Sequence, residues 1–460
     1  MESIIIAVFV IGYIGIALEH PIKINKTATA ILTGVICWTL FALATPEQSL
    51  LDSETFRGFL DTFRLESGDA KFAALSQAEL YREFVITELS HHLSQISQIL
   101  FFLMGAMTIV ELVDAHQGFR IITDRIRTKN PIQLLWIVCW VTFFLSAVLD
   151  NLTTAIVMVS LIRKLIPNKD MRLFFAGMVV IAANAGGAWT PIGDVTTTML
   201  WIGGQISTVN IMQTLFLPSV ICMLVPLIYL NFTLKGTLGE AHADAASHKA
   251  VPVRSDKLML VAGITALISV PVFKTYTHLP PYMGMLLGLG VLWVMSELMN
   301  DGLDEAMKKH YSAAGALSRI DVPSVLFFLG ILLAVSALES TLTLFHFSEY
   351  LAATIGDNRI IITLIGLLSA IVDNVPLVAA SMGMYSLDVY PQDHLIWEYL
   401  AYCAGTGGSI LIIGSAAGVA VMGMEKVDFI WYVKKISLIA MLGYFSGAIG
   451  YLVIQPMLAH

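Results

Sequence analysis

The chain has 460 residues, of which 57% are hydrophobic and only 13% are charged, with a formal net charge of −8 and a mean hydropathy of +0.78. This composition excludes an ordinary water-soluble globular protein and gives no indication of nucleic-acid binding. The four cysteines lie in apolar segments without CxxC spacing, which suggests neither a disulfide framework nor a zinc site. We therefore expect a chain that has the lipid bilayer as its solvent and needs no cofactor.

Apolar segments of the length that a membrane helix requires, roughly 20 residues, recur along the whole chain. Two of them are too long for one straight crossing and contain glycines. In chain order the segments are Ile4–Leu18, Thr27–Ala44, Ile96–Val113, Ile132–Leu149, Leu152–Ile166, Met171–Gly204, Ile211–Leu234, Leu258–Phe273, Pro281–Met299, Val322–Leu338, Ile360–Val372, Val375–Leu387, Trp397–Met424 and Tyr432–Ile454.

Basic residues between these segments predict the orientation of the chain. If the first helix runs inward, 20 of the 26 lysines and arginines lie on the inner side, and the exceptions are Arg57, Arg64, Lys71, Arg82, Lys274 and Arg359. We therefore predict a multi-pass protein of the inner (plasma) membrane with both termini periplasmic or external. The acidic stretch 46–90 is then an external loop, with room for surface helices.

A sequence match within the chain predicts two related halves. Leu145–Asn151 (LSAVLDN) recurs as Leu368–Asn374 (LSAIVDN), and the pair Gly186-Gly187 is answered by Gly407-Gly408. Because an odd number of crossings separates corresponding points, the copies are expected to be inverted relative to each other, as in many secondary transporters. The predicted fold is an all-α polytopic membrane protein of two inverted-topology repeats, each with a re-entrant helical hairpin and a broken transmembrane helix. The predicted boundaries are 1–235 for the first repeat (hairpin 131–166, broken helix 171–204), 236–257 for a cytoplasmic linker, and 258–460 for the second repeat (hairpin 359–390, broken helix 397–424).

The two aspartates of the repeated motif, Asp150 and Asp373, stand between apolar arms with no charged loop beside them. An ionised carboxylate at membrane depth is costly unless a cation, water or hydrogen-bond donors compensate it. The arms either cross the membrane fully, with the aspartate in an external turn, or meet midway as a re-entrant hairpin. The glycine breaks that follow favour the hairpin, because unwound backbone at membrane depth is tolerated only beside protein or a water-filled cavity.

Oxygen ligands gather at the predicted hairpin tips and helix breaks, and they are the ligands that a small hard cation prefers. We expect a small hard cation at Asp150, Asn151, Asp373 and Asn374. The other candidate ion- and proton-binding residues are Thr153, Thr154, Thr190, Asp194, Thr406 and Ser409, with Glu111, Glu339 and Ser415 as weaker candidates. His91 and His92 are more readily explained as interfacial histidines than as pH sensors.

The segments Ser146–Thr154 (SAVLDNLTT) and Ala185–Thr197 (AGGAWTPIGDVTT) resemble those of NhaD-type sodium/proton antiporters, a branch of a wider ion-transporter superfamily. The resemblance implies paired re-entrant hairpins and a homodimer with scaffold and moving transport domains. It further implies export of Na⁺ or Li⁺ against inward H⁺, with roles for Asp150, Asn151, Asp194, Asp373 and Asn374.

On this basis Na⁺ and H⁺ are expected to compete for a mid-membrane site formed by Asp150 and Asp373 with Asn151 and Asn374. The cation binds to ionised carboxylates, and protonation neutralises them for the return step. A sodium-coupled carboxylate transporter or an arsenite or other anion transporter of the same superfamily is the alternative, since the architecture alone serves either. Two carboxylates at the tips argue against an anion. The chain has no HExxH or GxSxG motif and no His/Cys cluster within the spans, so we do not expect an enzyme.

Overall fold

The computed structural model describes residues 2–119, 121, 128, 130–234, 254–301 and 304–458. Within these ranges all regular secondary structure is helical, and eight helices are long and apolar enough to cross a membrane. A ninth span results if the neighbouring helices Thr343–Ile355 and Asn358–Leu368 are counted as one broken span. The chain is therefore an all-α, multi-pass membrane protein. The predicted inner basic residues at positions 120, 125, 127, 129, 235 and 249, and residues 236–253 of the predicted linker, lie outside the described residues.

The helices are numbered here in chain order. They are α1 Glu2–Ala17, α2 Glu19–Ile22, α3 Lys26–Leu43, α4 Gln48–Leu51, α5 Glu54–Ser67, α6 Asp69–Ala74, α7 Gln77–Ala115, α8 Pro131–Leu149, α9 Asn151–Leu165, α10 Lys169–Gly187, α11 Val195–Ile202, α12 Thr208–Thr233, α13 Arg254–Thr277, α14 Pro281–Met299, α15 Glu305–Tyr311, α16 Ala313–Leu317, α17 Val322–Ser340, α18 Thr343–Ile355, α19 Asn358–Leu368, α20 Asn374–Met384, α21 Leu395–Gly407, α22 Ala416–Glu425, α23 Phe429–Tyr432 and α24 Leu438–Leu458, with a π-helical turn Val433–Ser437 between the last two.

Helix α7 begins well before its apolar segment. It has 39 residues, about twice what a bilayer crossing needs. Its start is fixed by a capping box, in which the Ser76 N–H donates to Glu79 Oε2 (2.8 Å) and the Glu79 N–H donates to Ser76 Oγ (3.4 Å). Residues 77–90 of the predicted external loop 46–90 are therefore the first turns of α7 and not a separate surface helix. The rest of that stretch contains the short helices α4, α5 and α6.

The described helices separate into two compact units, and the first is drawn from Met1–Leu100, Val322–Gly356 and Ala379–Ser386. Its main contact is between α3 and α17. A side chain at Gly330 would overlap the backbone of Ile31, so glycine permits the close approach of these two helices. The Trp38 indole N–H donates to the Leu333 carbonyl (2.8 Å) along the same contact.

The second unit is drawn from Phe101–Asp321, Asp357–Val378 and Leu387–His460. Helix α12 packs along α24, α10 packs against α8, and α9 packs against both α10 and α22. Both glycine-containing apolar segments are interrupted as expected. The chain is non-helical between the end of α10 at Gly187 and Val195, and again between the end of α21 at Gly407 and Ala416.

The buried carboxylate of Glu425 connects the ends of three helices in the second unit. Glu425, the last residue of α22, accepts hydrogen bonds from Arg163 Nε at 2.5 Å and Arg172 Nε at 2.7 Å. The Glu425 side chain is 1% exposed, whereas those of Arg163 and Arg172 are 45% and 19% exposed. This cluster fixes the last turn of α9, the first turn of α10 and the end of α22 together.

Replacing Glu425 by glutamine is expected to lower the thermal unfolding temperature of the purified protein. Removing one member of a buried ion pair leaves uncompensated charge and typically costs about 3–5 kcal/mol, and the partial exposure of both arginines reduces this to about 1–3 kcal/mol. Lys164→Gln, which removes an exposed charge next to Arg163, is the matched control. Equal unfolding temperatures for the two variants would show that the cluster is not stabilising.

Candidate functional site

The candidate site begins where α8 and α9 meet at Asp150. This residue has φ = 102°, a conformation that is strained for a residue with a side chain, and it separates two helices without any intervening loop. Its carboxylate caps α9, since Oδ1 accepts from the Thr153 N–H at 2.7 Å and Oδ2 accepts from the Thr153 hydroxyl at 2.8 Å. Asp150 is therefore held by local hydrogen bonds at a sharp break in the helix.

A second carboxylate, Asp194, ends the break between α10 and α11. It is 2% exposed, and its Oδ1 accepts from the backbone N–H and the hydroxyl of Thr196, both at 2.9 Å. Its Oδ2 accepts from Asn151 Nδ2 at 2.7 Å. No ion pair with Asp150 or Asp194 forms among the described lysines and arginines. Both acids therefore rely on neutral donors.

Asn184, near the end of α10, connects these groups to the other broken helix. Its Oδ1 accepts from Asn151 Nδ2 at 3.1 Å, and its Nδ2 donates to Ser409 Oγ at 3.1 Å and Ser415 Oγ at 3.0 Å. All four residues are at most 5% exposed. Asn184 was not among the residues predicted from the sequence, although an asparagine two positions before a glycine pair in an apolar stretch was a usable signal.

The second repeated motif lies between α19, which ends at Leu368, and α20, which begins at Asn374. Asp373 is half-buried, and its Oδ1 accepts from the Val375 N–H at 3.3 Å, while Asn374 is 4% exposed. Asp194 interacts electrostatically with Asp373 as well as with Asp150. Three carboxylates of the second unit are thus electrostatically linked, with Asp194 common to both pairs.

The two sequence motifs make corresponding contacts in the second unit. The Ser146 hydroxyl donates to the Ala183 carbonyl at 2.6 Å, and the Ser369 hydroxyl donates to the Ala404 carbonyl at 3.1 Å. Each serine stands four residues before its aspartate, and each alanine stands three residues before the first glycine of its pair.

The glycine pairs also correspond. A side chain at Gly186 would overlap the Phe143 carbonyl, and one at Gly407 would overlap the Gly366 carbonyl. Phe143 and Gly366 both stand seven residues before their aspartates. In each motif, therefore, glycine brings the broken helix into backbone contact with the helix that precedes the aspartate.

Three predicted threonines have different surroundings. The Thr190 hydroxyl donates to the Ala147 carbonyl and the Thr406 hydroxyl to the Tyr402 carbonyl, both at 2.6 Å. The Thr154 hydroxyl, one turn beyond Asp150, is buried and has no hydrogen-bond partner among the residues that the structure describes. A buried hydroxyl in this condition is a candidate ligand for an ion or water.

Glu111 and Glu339, the two weaker acidic candidates, interact with other residues. Glu111 Oε1 accepts from Arg319 Nε at 2.6 Å, which gives it a structural ion pair near the end of α7. Glu339 belongs to the first unit, where it has an exposed side chain and interacts with Glu88. His92 is buried in the same unit and contacts Ser340 Oγ at 3.0 Å. Neither acid hydrogen-bonds to the network around Asn184.

The chemistry of the site is that of oxygen ligands. Carboxylates, side-chain amides and hydroxyls converge, and no group of three or more His, Cys, Asp or Glu side chains that could hold a metal ion occurs in the described part of the chain. Such a set can hold a proton or a small hard cation.

Comparison with known proteins gives consistent matches over most of the chain. A family profile described as citrate transporter, CitMHS, matches residues 13–405. Sodium/proton antiporter 1 of Arabidopsis thaliana is 49% identical over 451 residues, which cover 98% of this chain and 72% of that protein. Sodium/proton antiporter 2 of the same plant is 45% identical over 454 residues, covering 97% and 98%. The Na⁺/H⁺ antiporter NhaD of Vibrio cholerae is 30% identical over 467 residues, covering 95% and 88%.

Proposed function

The chain belongs to the CitMHS citrate-transporter family, and from this premise we propose that it exchanges cytoplasmic Na⁺ or Li⁺ for external H⁺ across the membrane. The relatives named sodium/proton antiporters, which match nearly the whole chain, support this choice within the family. A transporter, and not an enzyme, is what both the family and these relatives indicate.

One observation carries the proposal. Asp150 and Asp194 stand at helix breaks within an apolar bundle, and the groups that hydrogen-bond to them are neutral. Carboxylates in such surroundings are stable when they bind a proton or a cation, and costly when they bind neither. The ionised site without a bound proton or cation is therefore costly to carry across the membrane. Because the site crosses with one ion or the other bound, the movements of Na⁺ and H⁺ are coupled.

Asn151 has the arrangement expected of a cation ligand. It donates its amide hydrogens to Asp194 and Asn184, and no described residue donates to its amide oxygen. That oxygen, the Asp150 carboxylate and the unpartnered Thr154 hydroxyl come from the N-cap and the first turn of α9. We propose that they bind Na⁺ together with Asp373 and Asn374, and that protonation of the carboxylates displaces the cation.

Two inverted repeats, each with a re-entrant hairpin, are part of this proposal. The Ser-to-Ala hydrogen bonds at corresponding positions and the matching glycine contacts of the two motifs support a common structural unit. The repeats are proposed at 1–235 and 258–460. We also propose that the protein forms a homodimer, lies in the inner membrane and has both termini on the external side.

Transport of a carboxylate such as citrate is the second candidate, because the matching family profile is described by citrate. Acids at Asp150, Asp194 and Asp373 disfavour it, since an anionic substrate would meet like charge. Anion transport nevertheless makes a distinct prediction. Labelled citrate or succinate would enter vesicles in a Na⁺-dependent manner without Na⁺/H⁺ exchange.

The experiment is exchange in proteoliposomes with a pH-reporting dye, titrated with Na⁺, Li⁺ and K⁺. We expect Na⁺ or Li⁺, and not K⁺, to dissipate a preset proton gradient. Citrate uptake in place of this response would establish the second candidate.

Asn184→Ala is expected to raise the KM for Na⁺ about tenfold while the protein remains folded. The substitution removes the donor to Ser409 and Ser415 and the acceptor of Asn151, so Asn151 loses part of its orientation. A tenfold change corresponds to about 1.4 kcal/mol, in the range for a buried hydrogen bond. Ser219→Ala is the control, because that buried hydroxyl has no partner among the described residues. An unchanged KM in Asn184→Ala would exclude Asn184 from organising the site.

A further inference from the structure

Glu398 is a buried acid that the proposed ion site does not use. It lies in the first turn of α21 and is 2% exposed. Asn210 Nδ2 on α12 donates to its Oε1, and Tyr451 Oη on α24 lies 2.8 Å from its Oε2. No basic side chain in the described ranges forms an ion pair with it.

The single hydrogen of the Tyr451 hydroxyl favours a protonated Glu398 in this arrangement. Tyr451 Oη also lies 3.1 Å from the Leu395 carbonyl oxygen, which can only accept. A phenol has one hydrogen to donate. Both short contacts are two-centre hydrogen bonds at the same time when Tyr451 donates to Leu395 and accepts from a proton on Glu398.

The same three residues also suit the deprotonated acid. If Glu398 loses its proton, the Tyr451 hydroxyl can rotate its hydrogen from the Leu395 carbonyl to Glu398 Oε2, while Asn210 continues to donate to Oε1. The Leu395 carbonyl remains within α21 and keeps its helical acceptor role. Tyr451 is thus a donor that can serve either state.

We propose that Glu398 is a second proton-binding group of this chain, which carries a proton in the arrangement described here and releases it during the transport cycle. The inference rests on the proposed exchange of Na⁺ for H⁺. In the release step the Glu398 O–H bond breaks, the proton passes to water, and the carboxylate keeps the electron pair. No oxidant, reductant or other reactant is needed.

Other titratable groups near this end of α21 are already bonded in other ways. Asp393 Oδ1 accepts from the Ser207 N–H at 2.6 Å, and His394 Nδ1 accepts from the Ile396 N–H at 3.3 Å. The Tyr399 ring stacks on Tyr451, and its hydroxyl contacts Thr363 Oγ1 at 2.8 Å. Tyr451 is the titratable group that contacts Glu398 directly.

The first test compares the number of protons moved per Na⁺ in proteoliposomes for the wild type and Glu398→Gln. Glutamine keeps the size and the hydrogen-bonding positions but cannot release a proton. We expect the variant to exchange Na⁺ with one proton fewer per cycle. A ratio and rate equal to those of the wild type would overturn the proposal and leave Glu398 a structural residue.

An infrared difference spectrum between acidic and alkaline buffer tests the protonation of Glu398 without transport. The purified wild type should show a protonated-carboxyl C=O band that Glu398→Gln lacks, and identical bands in the two would also overturn the proposal. In the same spectrum Tyr451→Phe should shift this band, whereas Tyr444→Phe should not, because the Tyr444 hydroxyl donates to the Thr363 carbonyl on α19. If the band behaves as expected but the wild type exchanges no Na⁺ for H⁺, the proposed function fails and the proton site stands.

Discussion

Replacing Asp150 by asparagine is expected to abolish Na⁺-dependent proton movement in proteoliposomes, with a loss of at least about a hundredfold. Asparagine caps helices as well as aspartate does, so α9 should still begin at the same place. It cannot ionise, however, and so can neither balance the charge of Na⁺ nor exchange a proton. The expected result is a folded, inserted protein that has lost exchange.

A matched control separates the charge of Asp150 from its capping role. Asp304 caps α15 by accepting from the Met307 N–H at 2.8 Å, and it is exposed. Asp304→Asn should exchange ions at the wild-type rate. Normal exchange by Asp150→Asn would remove Asp150 from the mechanism, whatever the control shows.

Gly186→Val is expected to have the largest effect on folding. The first side-chain carbon would meet the backbone carbonyl of Phe143, which cannot rotate away as a flexible side chain can. Overpacking a core costs about 1–3 kcal/mol, and a clash with backbone is expected to reach or exceed the upper end of that range. The yield of folded protein and its unfolding temperature should both fall, and exchange should be lost with them.

Gly290→Val on α14 is the control for that substitution, because nothing lies within 4 Å of the position where its side chain would start. Both variants put a β-branched residue into an apolar helix, so intrinsic helix propensity affects them equally. Equal unfolding temperatures for the two would mean that α8 and α10 do not need the close approach at Gly186.

The sequence was sufficient to predict the apolar helices and both interruptions. The end of α8 at Leu149 and the start of α9 at Asn151 agree with the predicted arms around Asp150 within one residue. The physical cause is that long apolar segments and glycine pairs are local features of the sequence. In the apolar core of a bilayer the backbone must satisfy its own hydrogen bonds, so such segments form helices whatever the tertiary packing. Helix α18 was missed because its 13 residues are fewer than one bilayer crossing needs.

The site was predicted less completely, because its hydrogen bonds join residues far apart in the chain. Asp150, Asn151 and Asp194 stand out in the sequence as polar residues within apolar motifs. Asn184 and Glu398 gain their importance from partners up to 231 and 188 residues away, and the sequence alone does not identify those partners. Polar networks of this kind depend on tertiary packing.

Proton release on cation binding tests competition at the aspartate site most directly. Purified protein in weakly buffered detergent solution, at a pH where the site is partly protonated, would receive NaCl or, as a control for ionic strength, choline chloride. Competition predicts that Na⁺ releases protons from the wild type, that choline does not, and that Asp150→Asn releases fewer. Binding of Na⁺ to the wild type without any proton release would contradict a shared site for the two ions.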